Sequence, residues 1–64
     1  MLTNMEKALI AGLKIFEMQE EEIIAIMIAM DTEQKQNQLL EWMEKNPKAT
    51  ASEVLTEMVR ITKI

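Results

Sequence analysis

The chain contains no cysteine, no histidine and no tyrosine, and only one each of glycine, proline, tryptophan and phenylalanine. Each absence removes a class of chemistry. Without cysteine there is no disulfide, and without cysteine and histidine the ligand sets of structural zinc, iron–sulfur clusters and haem cannot be assembled. Neither a Cys–His pair nor a Ser–His–Asp triad can form, and Ser52 is the only serine. The single glycine, Gly12, rules out a glycine-rich loop that cradles phosphate. We expect no enzyme activity and no cofactor.

Sixty-four residues make one small domain. At this size only about 60% of the unfolded surface can be buried, and the core supplies only about 3–5 kcal/mol. Disulfides and metals being excluded, the remaining supports are good helix packing and self-association. The N-terminal Met1-Leu2-Thr3-Asn4 lacks the basic and apolar regions of a signal peptide. The longest apolar run, Ile23 to Met30, is about 12 Å long as a helix, whereas a bilayer needs about 20 residues. The expectation is a cytoplasmic protein with no membrane partner.

The formal net charge is −4 and unevenly spread. Residues 1–34 carry two lysines against seven acids, and residues 35–64 carry five basic residues against four acids. Phosphate-backbone binding needs concentrated Lys and Arg. Neither half offers that, which argues against a nucleic-acid partner.

Strand signals are nearly absent and helix signals recur. Thr3-x-x-Glu6 and Thr50-x-x-Glu53 have the form of a capping box, and Asp31-x-x-Gln34 is a weaker third. Asn46-Pro47 stops a helix, because proline drives the preceding residue out of the α region. The pattern predicts an all-α bundle of three to four short helices, at about 4–17, 20–30, 32–46 and 51–63. The last two form an antiparallel hairpin, and self-association completes the bundle. Whether the first two helices join or break at Met18-Gln19 is decided by four polar residues in a row, Gln19 to Glu22, which favour a break.

In the first helix Met5, Leu9, Gly12, Leu13 and Phe16 form one stripe, widened by Ala8 and Ile15. Ala8 and Gly12, a turn apart, leave room for another helix. The third helix is apolar in its second half, at Leu39, Leu40, Trp42 and Met43. Its first half carries Lys35 and Gln36 where core residues would fall and is expected to project past the core or to form the rim of a contact. In the fourth, Ala51, Val54, Leu55, Met58, Val59 and Ile61 oppose Glu53, Thr56, Glu57, Arg60 and Lys63. The candidate core is therefore Leu9, Leu13, Phe16, Leu39, Leu40, Trp42, Met43, Val54, Leu55, Met58 and Ile61.

The second helix is unusual. Ile23, Ile24, Ile26, Met27, Ile28 and Met30 cover an arc of about 200°, twice the width that one-sided packing uses. One flank is assigned to the chain's own core and the other to a second copy. Ile10, an isoleucine among charges on the first helix, joins that surface. The candidate self-association or partner surface is Ile10, Ile23, Ile24, Met27, Ile28 and Met30. Glu17, Glu20 and Glu21 share a face if the helices are continuous, but the alternating oxygen ligands of a calcium loop are missing. No metal site is assigned, and Glu20 to Glu22 are read as complementing the helix dipole.

The segment from Leu39-Leu40-Glu41-Trp42-Met43 through Asn46-Pro47 to Thr50-Ala51-Ser52-Glu53-Val54-Leu55 resembles the opening helices of helix-turn-helix regulators. The resemblance covers about 25 residues and implies DNA binding, yet no basic recognition helix follows. Three functions are set side by side. The leading one is a non-enzymatic interaction module that forms a homo-oligomer, a dimer first of all, and also contacts a protein partner of unknown identity. The alternatives are a small DNA-binding regulator and an acidic mimic that inhibits a nucleic-acid enzyme. Met is favoured at adaptable binding surfaces, and there are seven here.

Overall fold

The computed structural model describes residues 2–63. Among them four helices form and no strand: α1 (Asn4–Ile15), α2 (Glu20–Ala29), α3 (Glu33–Lys45) and α4 (Ala51–Thr62). The all-α small bundle is thus the fold. Local chemistry sets the ends. The hydroxyls of Thr3 and Thr50 accept from the amides of Glu6 and Glu53, at 3.1 and 3.2 Å, and those glutamates reach back to the threonine amides. Glu22 likewise accepts from the Gln19 amide at 2.9 Å. At α3 the cap is Thr32, whose Oγ1 accepts from the Lys35 amide at 3.2 Å, and not the expected Asp31. Asp31 instead accepts from the Lys35 ammonium at 3.1 Å.

The first helix stops two residues earlier than expected. Glu17 adopts a left-handed backbone, φ 59°, and its amide donates to the Lys14 carbonyl at 3.0 Å. Such a residue reverses the chain after a helix and is usually glycine. The break between α1 and α2 is therefore built into the backbone. At the end of α3, Asn46 donates through Nδ2 to the Trp42 carbonyl at 2.8 Å, just before Pro47.

α1 packs on α2 and α3, and α4 packs on the same two helices, so the order around the bundle is α1, α2, α4, α3. Ile61 shares a recess with Thr32, Gln34, Lys35 and Gln38, so the end of α4 meets the start of α3 and the two run antiparallel. The fold measures 28 × 24 × 21 Å.

Leu9, Leu13, Met18, Ile23, Ile26, Met30, Leu39, Met43, Val54 and Ile61 are buried together. Phe16, Leu40, Trp42, Leu55 and Met58 are partly buried and pack against them. Gly12 faces α3 closely: a Cβ there would come within 2.6 Å of the Met43 methyl. Ala8, its expected companion at that approach, is exposed.

Two polar residues depart from the expected pattern. Gln36 is only 6% exposed, and its Nε2 donates to the Met30 carbonyl at 2.9 Å. The first half of α3 therefore enters the core at this position, because Gln36, Leu39 and Met43 share one helical face. Its amide closes a carbonyl left open at the end of α2. Glu57 is also buried, contrary to the solvent face that the helical pattern predicts for it. It falls one turn from both Val54 and Ile61, and the Arg60 guanidinium covers it: Nε donates to Oε1 at 3.0 Å and Nη2 to Oε2.

Candidate interaction surface

The six residues assigned to a partner surface divide three ways. Ile23 and Met30 belong to the interior of the single chain, together with Ile26. This corrects their assignment. Positions 23, 26 and 30 form one face in the 3-and-4 spacing of a helix, and that face turns inward between α1 and α4. Ile24 and Ile28, one turn apart, point away from it and are 52% and 73% exposed. Met27 and Ile10 lie between these extremes, half-buried and packed against the core. The sequence shows that α2 has two apolar flanks, but both are Ile-rich, and nothing in the composition says which turns inward.

The structure brings Ile10 and Ile24 into one recess between α1 and α2, about 450 Å³ in volume, with Lys14, Met18, Glu20 and Ile23. Ile28 extends this apolar surface by a turn. Its flank holds Glu20, Glu21 and Ala25, all exposed. The surface therefore has an aliphatic centre with acids at one end.

Magnitude limits what it can do. Fully burying one isoleucine side chain is worth about 1.5–3 kcal/mol. Scaled by the exposures of Ile24 and Ile28, 52% and 73%, a twofold contact gains about 4–8 kcal/mol from the four side chains. Association costs about 4–15 kcal/mol. A contact confined to these residues would be weak and concentration-dependent.

A second surface was missed in the sequence. Gly12, Ile15, Phe16, Leu40, Met43, Glu44 and Pro47 line a groove of about 190 Å³ where the ends of α1 and α3 meet. Ile15, on its lip, is 76% exposed. The signal in the sequence is the lone glycine on the apolar stripe beside Ile15, which by periodicity alone reads as packing.

Two carboxylates elsewhere are perturbed by a neighbouring cation. The Arg60 guanidinium, by hydrogen bond first and charge second, holds the Glu57 carboxyl below its ordinary value of 4.5. The hydrogen bond from Lys35 lowers that of Asp31 in the same way. Both carboxylates are thereby kept ionised, the opposite of the shift a general acid uses at neutral pH. Among the described residues no three acidic side chains gather as a metal site would require, Glu17, Glu20 and Glu21 included. Nor is any described helix long and apolar enough to cross a membrane. Comparison with protein families, curated proteins and solved structures finds no match to this chain.

Proposed function

We propose that the protein is a small non-enzymatic helical module whose work is protein–protein contact, beginning with a second copy of itself across the outer face of α2. The observation that carries this reading is the pair Ile24 and Ile28, exposed one turn apart on a helix whose opposite face already fills the core. Two large aliphatic side chains on one exposed turn are an interaction surface in miniature. The alternatives have less support. Arg60, needed for a basic DNA-reading face on α4, is committed to Glu57, and Glu22, needed for phosphate mimicry, caps α2.

Sedimentation equilibrium from about 10 μM to 1 mM tests the reading, the range following from the modest gain above. A reversible rise in mass toward a dimer is expected. Ile28→Glu should abolish it while leaving helix content unchanged, because the side chain lies outside the core. A wild-type chain that stays monomeric throughout that range would end the proposal.

A further inference from the structure

The joint between α1 and α2 is held in a form that its own residues disfavour. Among the described residues Glu17 alone has a left-handed backbone, φ 59°. For a side chain with a Cβ that conformation costs about tenfold in equilibrium against the right-handed helix. Neither glycine nor proline occurs from Phe16 to Gln19, and Glu, Met and Gln are good helix formers. The tightened ending, in which the amides of Phe16 and Glu17 donate to Leu13 and Lys14 at 3.1 and 3.0 Å, is imposed on a segment able to continue as helix.

The apolar pattern also carries straight across the joint. Leu9, Phe16, Ile23 and Met30 recur every seven residues. Drawn as one helix at 100° per residue, these four together with Leu13 and Ile26 fall in an arc of about 140°. From Met5 to Met30 only Gln19 and Glu20 are polar within that arc, and both are exposed at the joint itself. Met18 is the exception, since it is buried in the bent form and would lie about 80° outside the stripe in a straight one. Its burial, with the Glu22 carboxylate on the Gln19 amide, holds the joint closed.

Straightening the joint would carry α1 away from its seat on α2 and α3. Leu9 and Leu13 have no exposed surface, so a released α1 cannot stand free in water. The seat it leaves, shaped around Gly12 by the Met43 methyl and Leu40, matches another α1. A second copy supplies one. Exchange of an identical element remakes the native contacts between chains, so no new surface has to be complementary.

We propose that the joint opens into one helix from Asn4 to Ala29 and that two copies then exchange α1, each seating it on α2 and α3 of the other. Glu17, Gln19 and Glu20 then lie in solvent between the two bodies. This exchanged dimer is independent of the α2 contact. It forms when chains are concentrated and persists on dilution, because α1 must unseat before the copies part.

The full chain, held at about 1 mM just below its melting temperature, cooled, diluted to a few micromolar and sized by gel filtration, tests this. A dimer that survives dilution for about hours is expected, whereas a contact through α2 alone dissociates at once. In the isolated dimer, prepared from mixed labelled and unlabelled chains, isotope-filtered NOEs should join Gly12 of one copy to the Met43 methyl of the other. The Cα shifts of Glu17 to Gln19 should be helical. Glu17→Gly relieves the strain in the bent form and weakens the straight helix, so the dimer yield should fall at least about tenfold. Ile28→Glu should leave the yield unchanged. The proposal is overturned by the absence of a dilution-resistant dimer, by Gly12–Met43 NOEs confined within one copy, by non-helical shifts at Glu17, or by an undiminished yield in Glu17→Gly.

Discussion

Replacing Gln36 by methionine keeps an unbranched side chain of similar length and deletes one donor. In the native fold that donor closes the carbonyl of Met30, a residue with no exposed surface at the end of α2. An orphaned buried carbonyl costs about 1–3 kcal/mol, and the added apolar burial returns part of it. The expected net loss is about 1–2 kcal/mol. A chain of 64 residues has a total stability of about 3–10 kcal/mol and an unfolding entropy near 0.13 kcal/mol/K. Gln36→Met should therefore lower Tm by about 7–15 °C. Circular dichroism at a few micromolar, below the association range, measures this without mass-action stabilisation. Gln38→Met, on an exposed site two residues away, is the control and should move Tm by no more than about 3 °C. If the two variants melt together, Gln36 does not hold the end of α2.

Glu17→Gly should raise Tm by about 4–8 °C in the same melts, because glycine relieves a left-handed residue that costs about 1–2 kcal/mol and returns only part of that as chain entropy; a fall in Tm would refute the strain argument. The Glu57 carboxyl titrates below its ordinary value of 4.5 when folded. Its stabilising contribution is present above that value and fades as pH falls through the lower, folded one. The stability advantage of wild type over Glu57→Gln should accordingly shrink as the pH falls below 4.5, measured by urea unfolding at each pH. A constant difference would show that the pairing with Arg60 carries no linked protonation.

The helices were legible because their ends are written in local chemistry. Thr3 with Glu6, Thr50 with Glu53 and the Asn46-Pro47 stop act within a few residues and need no knowledge of the fold. What escaped was decided across the bundle. Gln36 and Glu57 occupy core positions in the helical repeat, Gln36 three residues before Leu39 and Glu57 four before Ile61. Sorting residues into polar and apolar sends both to the surface. They come inside because a carbonyl of α2 and a guanidinium on the same turn satisfy them, partners that a one-dimensional pattern does not display. The surface was half legible for a related reason. The excess apolar width of α2 was visible, but the division of Ile23 and Met30 from Ile24 and Ile28 depends on where the neighbouring helices stand. The groove beside Ile15 exists only when α1 and α3 converge.

The two-sided character of α2 has a consequence for folding. Oil-and-water partition ordinarily keys a helix into one rotational setting, since turning it would expose what was hidden. Turned by about 150°, α2 would offer Ile24 and Ile28 to the interior in place of Ile23 and Ile26, aliphatic for aliphatic. Hydrophobicity therefore keys this helix only at its first turn, where that rotation would carry Glu20 and Glu21 inward, and leaves the run from Ile23 onward close to unkeyed. The setting is fixed by its tethers: the Gln36 amide on the last carbonyl, the short joint from Met30 to Thr32, and the reversal at Glu17. In this chain it is hydrogen bonds and turn geometry, rather than grease, that decide which side of the most apolar helix faces inward.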